Sequence, residues 1–332
     1  MDDLPDAGAA PLFRAAAEAR LAPSILNTQP WRWHVDGGHL DLYADPDRQL
    51  TGLDPDGRLL ILSCGAALHH AEVSLTARGY EPAVQRTGQA GDDRWLARID
   101  VGGAHPVRAQ DVEAWRSMRR RCTDRRPFRA TGPVPAAAVA ALGAAAEGAD
   151  TWLHRVEPEQ VTYVRAAAQG AQTIESKDER SVQDLRDWAG RDPALGEGVP
   201  AATVVAPVGR PVPLRGFEVT GELTSDPGPG DDRFAEYLIV ATTRDDPVDW
   251  LRAGEATSAV WLAATTLGLA VSPLSDVVEV PGARVLLRSL LHRPGHPQIV
   301  LRVGVAAGTA PPAATRRRRA SDVVRRDRPA PV

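Results

Sequence analysis

The stretch GAALHHAEVSLTARG, from Gly65 to Gly79, has a counterpart 189 residues further along the chain, GEATSAVWLAATTLG, from Gly254 to Gly268. Each begins on glycine and continues in small and apolar residues. Each ends on a glycine suited to a helix C-terminus. Ala67 matches Ala256 and Thr76 matches Thr265, so the identity alone is slight. Order adds weight. Each segment is followed by a strand-like run with an arginine near its middle, Leu96-Ala97-Arg98-Ile99 and Leu301-Arg302-Val303, and each is preceded by another strand-like region. The pattern predicts one α+β unit written twice, the second copy longer. Helices rich in Gly and Ala let backbones approach closely, so these two are expected to form the seam between the halves.

Working outward, an Ala-rich helix is expected over Leu12–Leu21, stopped at Ala22 by the proline that follows it. Trp31–Val35 and His39–Tyr43 flank Gly37-Gly38 and read as a hairpin. Gly57–Ala77 reads as a long helix, Trp95–Val101 as a strand, and Val107–Met118 and Pro135–Ala146 as helices. Trp152–Val156 is a short strand, with helices over Pro158–Thr173 and Glu179–Trp188. Ala189–Arg233 is rich in Gly, Pro and Asp and has little periodicity, and a loop of that length in a compact protein is usually functional or disordered. Tyr237–Thr242 is a buried-type strand, Pro247–Leu267 a second long helix, Pro281–Leu291 a helix and Gln298–Val305 a strand, before a basic tail over Thr315–Arg328.

A chain of 332 residues is long enough for about two domains. A net charge of −4 argues against nucleic-acid binding by bulk electrostatics. Cys64 and Cys122 are the two cysteines, and their placement fits neither a disulfide framework nor a zinc site. The start carries Asp2, Asp3 and Asp6 and lacks the basic, then apolar, pattern of a secretory signal. No run is apolar enough to be read as a membrane span, so a cytoplasmic location is expected. His69 and His70 are adjacent on a helix and do not share a face. Pro294-Gly295 separates His292 from His296, so neither histidine pair is read as a metal site. There is no dinucleotide fingerprint after a strand and no phosphate-binding P-loop.

Four motifs carry chemistry. The first is Ala22-Pro23-Ser24-Ile25-Leu26-Asn27-Thr28-Gln29-Pro30-Trp31-Arg32-Trp33. The second is Arg121-Cys122-Thr123-Asp124-Arg125, continued by Pro127-Phe128. The third is Gly268-Leu269-Ala270-Val271-Ser272-Pro273-Leu274-Ser275, and the fourth is Arg316 to Arg319. Individually each has a plain structural reading: turn chemistry around Asn27, a cap at Thr123, a helix terminator at Gly268, a solvated basic tail. Together they closely resemble the nitroreductase superfamily, with its APSxxNxQPWxF motif, its Rx[ST]xR flavin signature, its GLxxxP segment beside the reactive edge of the flavin, and its C-terminal basic residues. Here APSxxNxQPW lies in the first half and Rx[ST]xR opens the second, so each half holds part of one site. That arrangement resembles the Acg subfamily, a fused pseudo-dimer with one FMN.

The resemblance implies an α+β nitroreductase-like fold, with a first half over 1–106, a second over 107–325 containing a lid at 177–233, and a flexible tail at 326–332. It implies FMN as cofactor and NAD(P)H as transient electron donor. The flavin then carries the redox step, and the protein binds, orients and tunes it. On this reading Arg121, Arg317 and Arg318 meet the phosphate through charge-assisted hydrogen bonds, and Thr123 meets the phosphate or ribityl chain. Arg125 stabilises negative charge on the reduced ring. Ser24, Asn27 and Gln29 contact it from the first half. Pro273 and Leu274 pack on the ring beside Ser275. The expected partner is a small-molecule acceptor, nitroaromatic or quinone-like, with a monomer favoured over a homodimer. The competing reading is a protein that holds flavin without turnover; a third is a flavin-free pseudoenzyme whose basic C-terminus is an interaction tail.

Overall fold

The computed structural model describes residues 9–87, 94–129, 132–148, 150–217, 226–308 and 310–326. Two antiparallel β units occupy the two halves. In the first, α1 (Ala9–Ala19) precedes the hairpin β1 (Trp31–Asp36) and β2 (His39–Ala44), then α2 (Arg58–Thr76), β3 (Tyr80–Arg86) and β4 (Trp95–Ala104). In the second, α3 (Ala109–Arg120) and α4 (Ala136–Ala146) lead to β5 (Thr151–Arg155), α5 (Val161–Glu175) and α6 (Glu179–Trp188). They are followed by β6 (Glu236–Thr242), α7 (Pro247–Thr266), β7 (Ala270–Leu274), α8 (Asp276–Glu279), α9 (Pro281–Arg288) and β8 (His296–Gly304). The last elements are α10 (Ala320–Val323) and β9 (Val324–Arg326).

The sheets run β3-β4-β2-β1-β9 and β7-β8-β6-β5, so the second repeats the strand order of the first without its final strand. In both, the long helix links the second strand of the unit to the third. These helices meet where the repeated glycines lie. A Cβ on Gly65 would come within 1.9 Å of the Leu251 carbonyl oxygen, and a Cβ on Gly254 within 1.9 Å of the Leu62 carbonyl oxygen. The two clashes are reciprocal and share the spacing of the repeat, as does the 2.9 Å contact between His69 Nδ1 and Ser258 Oγ. Only glycine permits this approach of α2 to α7.

Each long helix has its own start. Pro247 opens α7, and the Asp246 carboxylate accepts from the Val248 and Asp249 amides. α2 begins after Gly57 in the left-handed region, and the Asp54 carboxylate accepts from Leu59 N at 3.1 Å and Leu60 N at 2.8 Å. By length and composition α2 is apolar enough to cross a membrane, which corrects the expectation that no run is, but most of it is buried inside the protein. It is wrapped by both halves because it is the core helix.

Three strands escaped the sequence reading. β3 has a polar alternation, β7 is short and contains Pro273, and β9 lies in what reads as a basic tail. β9 pairs in parallel with β1 through Trp33↔Val324, His34↔Arg325 and Val35↔Arg326, so the C-terminal chain completes the sheet of the first half. The expected flexible segment 326–332 lies outside the described residues except Arg326, which belongs to β9. Within the expected lid, α6 forms as predicted, and 189–217 is irregular apart from short turns at Pro193–Leu195 and Ala201–Thr203. Residues 218–225 lie outside the described residues.

Candidate flavin site

The motif after α1 folds into a turn that few sequences tolerate. Leu26, Asn27 and Gln29 all have positive φ, at 43°, 57° and 50°. Non-glycine residues in such conformations cost of order 1–3 kcal/mol each and persist where surrounding bonds hold them. Those bonds come from the polar residues of the motif. Ser24 Oγ accepts from Gln29 N at 2.9 Å, and Ile25 N donates to Ser63 Oγ on α2 at 3.1 Å. Asn27 Nδ2 donates to the carbonyls of Gly198 (3.1 Å) and Arg316 (3.3 Å). Gln29 Nε2 donates to Gly196 O at 2.8 Å, and its Oε1 accepts from Arg318 N at 2.9 Å. The turn thus fastens two distant segments, the strap 196–217 and the C-terminal chain, over one face of the molecule.

Beneath them is a cavity of about 570 Å³, ordinary for a small-molecule or cofactor site. Of the residues expected to touch the flavin, Ser24, Asn27, Arg121, Thr123, Arg125, Pro273, Leu274, Ser275 and Arg317 all line it. Two do not. Gln29 is fully buried behind the wall as the staple just described. Arg318 turns its guanidinium away, donating to Asp322 O at 3.1 Å and lying 4.0 Å from Asp45. Of the run of four arginines, only Arg317 lines the cavity.

The Rx[ST]xR segment leaves the end of α3 and runs beside β7. Thr123 bridges Val271 in parallel, and Asp124 N donates to Val271 O at 3.0 Å. Arg302 on β8 pins the same segment from below. It is fully buried, donates to both Asp232 oxygens (2.5 and 2.6 Å) and to the carbonyls of Asp124 (2.7 Å) and Arg126 (3.1 Å), and sits 3.8 Å from the Phe128 ring.

The cavity arginines have different surroundings. Arg121 donates to Leu21 O at 3.4 Å, stacks 4.8 Å from the Trp261 ring, and leaves Nε without a partner. Arg317 donates to the carbonyls of Ala22 and Thr315. Arg125 approaches Thr203 O at 3.5 Å and Thr203 Oγ1 at 3.4 Å, and lies 5.3 Å from the Phe217 ring. Among the described residues none of the three has a carboxylate partner. Burial pushes the guanidinium of Arg121 down to about 10, that of Arg125 to about 10 and that of Arg317 to about 9. For Arg317 the charges of Arg121 and Arg20 add to the effect of burial. All three remain cations at neutral pH. Burying an unneutralised cation costs several kcal/mol, and Arg121 and Arg317 are close enough to repel. This end of the cavity fits a dianion such as a phosphate monoester. The unpartnered Nε of Arg121 and the buried, unpartnered Oδ1 of Asn27 add one donor and one acceptor to the walls. The donor set therefore suits the phosphate and polar edge of FMN.

Several lining residues were not singled out from sequence: Trp261, Thr203, Arg215, Phe217 and Asp276. Trp261 reads as part of an apolar helix, and Thr203, Arg215 and Phe217 lie in the aperiodic strap. Asp276 alone had a local signal, since it directly follows the Ser275 of the third motif.

The site belongs to a class of proteins that the comparisons identify. No protein-family model matches the chain. A protein of Mycobacterium tuberculosis (strain ATCC 25618 / H37Rv) named "Putative NAD(P)H nitroreductase Rv3131" is 40% identical over 307 residues, covering 91% of this chain and 88% of that one. "Putative NAD(P)H nitroreductase acg" from the same strain is 32% identical over 311 residues, covering 91% of each. The chain belongs to the nitroreductase superfamily, in the group that includes acg. A crystal structure of a nitroreductase with bound FMN from Bacteroides fragilis is 14% identical, with a TM-score of 0.39 over 61% of this chain and 92% of that one. At that score it supplies no residue correspondence.

Proposed function

We propose that this protein is an FMN-dependent oxidoreductase that takes hydride from NAD(P)H and passes electrons to a nitroaromatic or quinone-like acceptor. The observation that carries this reading is the pair of Arg121, buried, and Arg317, half-buried, two cations without carboxylate partners among the described residues, lining a cavity that most of the motif residues also line. In this reading Arg121 and Arg317 hold the phosphate and Thr123 the adjoining chain. The Ser272–Ser275 edge and the Ser24–Asn27 turn hold the ring from opposite halves. Arg125 supplies positive charge where the reduced ring is negative. The flavin, when bound, supplies the hydride chemistry at N5. The protein's share is to orient it and exclude water. We read the two β units as a fused counterpart of a dimer, supported by their common strand order and by the reciprocal Gly65 and Gly254 contacts. The fusion supplies both walls within one chain and favours a monomer.

One observation favours a second reading. Gly198, Val199, Pro200, Thr203, Leu214 and Phe217 of the strap all line the cavity, which supports a strap that covers the space a nicotinamide would need. In that case the protein holds flavin without turning over. Anaerobic absorbance separates the readings. Flavin bands that bleach with excess NADPH support the oxidoreductase. Bands that persist with NADPH and bleach with dithionite support the holding protein. A purified protein without flavin bands, even after FMN is added, refutes both.

A further inference from the structure

Three carboxylates and one guanidinium meet at and behind the cavity wall. Arg215, on the strap, donates from Nη2 to Glu175 Oε1 at 2.9 Å and to Glu279 Oε2 at 2.5 Å. Glu175 ends α5 and Glu279 ends α8, with side chains only 6% and 2% exposed. Both carboxylates thus converge on one guanidinium nitrogen. Two buried carboxylates held at one guanidinium nitrogen repel each other, which favours a proton on the pair. One turn back on the same two helices, Gln172 Nε2 donates to Asp276 Oδ2 at 2.8 Å. Asp276 and Arg215 both line the flavin cavity.

Glu279 has a second outlook. It lines a separate pocket of about 80 Å³ with Asp54, Asp56, Arg58 and Arg284. One oxygen of Glu279 and two nitrogens of Arg215 are buried without partners. The group therefore lies between two cavities and is only partly satisfied by protein atoms. Charge explains why it holds a proton. Three carboxylates face one guanidinium, and burial disfavours the ionised forms. Burial pushes Glu175 up to about 8, Arg215 opposes, and Glu279 and Asp276 reinforce the rise. Asp54 is raised to about 6, mainly by burial, with Glu279 adding to it.

We propose that the Glu175–Glu279 pair is a proton store for the redox cavity, refilled through the Asp54–Asp56 pocket and discharged past Arg215 and Asp276. The inference rests on the oxidoreductase reading. Hydride transfer from reduced flavin to a neutral quinone-type acceptor leaves an anion that needs one proton. The pair gives up its shared proton to that anion. Both carboxyls are then ionised against Arg215, and one proton returns from solvent. The groups facing the pair are Arg215 from the strap, Asp276 from α8, Asp54 from the loop before α2, Arg58 from α2 and Arg284 from α9.

Two measurements test this. In flavin-free protein at pH 7, infrared spectroscopy should show a carboxylic-acid carbonyl band that disappears in both Glu175→Gln and Glu279→Gln. In flavin-loaded, photoreduced protein mixed with a neutral quinone, Glu175→Gln should slow reoxidation by roughly 10²-fold, the lower range for loss of a general acid. It should also flatten the pH profile while leaving flavin content unchanged. A band unchanged in both variants once the contribution of the buried Glu72, whose burial also favours its acid form, is removed with Glu72→Gln, or reoxidation with the wild-type rate and pH profile, overturns the store. A protein that binds no flavin yet loses the band in both variants overturns the oxidoreductase reading and the store's role with it, while the shared proton stands.

Discussion

Arg302 is fully buried and Arg317 half-buried, and their surroundings are opposite. Arg302 is completely enclosed and meets the fully buried Asp232 through both carboxylate oxygens, with two carbonyls and an aromatic face beside it and Nε left without a partner. Arg317 meets only carbonyls, beside the like charge of Arg121. A paired arginine of the first kind aligns the chain around it, here the segment from Asp124 to Phe128. An unpaired arginine of the second kind is a standing cost to the empty protein and a source of affinity for an anion. Arg302 is a single arginine in an apolar strand and Arg317 one of a run of four, and neither context names the partner that decides its role.

That contrast can be broken at its strongest point first. Asp232→Ala leaves Arg302 buried and unpaired, and should cost about 3–5 kcal/mol of folding stability. Urea denaturation would show it, and a loss below 1 kcal/mol would mean that Arg302 is not a structural tie. Arg121→Ala and Arg317→Ala should do the reverse. Each should weaken FMN binding by about 1.5–3 kcal/mol without lowering the stability of the flavin-free protein. Riboflavin, which lacks the phosphate, should be nearly indifferent to both changes. Fluorescence titration with the two ligands is the measurement, and equal losses for both would place the phosphate elsewhere. Arg125→Ala should weaken FMN as well; unchanged flavin content in both Arg121→Ala and Arg125→Ala would remove the Rx[ST]xR segment from the site.

Arg215 sharpens the comparison, because it has more carboxylates than it can neutralise. Glu175 has its folded value raised above the ordinary carboxylate range, to about 8. Its contribution to stability is therefore complete below the ordinary glutamate value and is lost as pH rises through about 8. Thermal melts between pH 6 and 9 should show a decline in the wild type that is smaller in Glu175→Gln. Identical slopes would mean that Glu175 is ionised throughout. The smallest effect is expected at Arg318, whose guanidinium faces away from the cavity. Arg318→Ala should change FMN affinity by less than about 0.5 kcal/mol, and a loss equal to that of Arg317→Ala would reverse the assignment between these neighbours.

Much of the site was legible because its motifs place polar residues at short, fixed spacings. Ser24 and Asn27 reach the cavity from one turn, Arg121 to Arg125 from one extended segment, and Pro273 to Ser275 from the end of one strand. Gln29 shows the limit of that reading. It has the residue type of a ligand-binding group but spends its amide on Gly196 and Arg318. Whether a polar side chain meets ligand or backbone depends on where distant segments pass, and local spacing does not encode that. Arg215 and Glu175 were invisible for a related reason. They are 40 residues apart and meet only because the strap folds back across the end of α5.

By itself the sequence determined the repeated unit, the helix pair with its matched glycines and many of the residues that line the cavity. These follow from local periodicity, from the absence of a side chain at Gly65 and Gly254, and from short motif spacings. Only the tertiary structure decided which arginine of the run at 316–319 enters the cavity, that β9 joins the sheet of the first half, and that three acids gather around Arg215. Charge neutralisation and burial are sums over segments that touch only after folding, so they can be read only once those segments are in place.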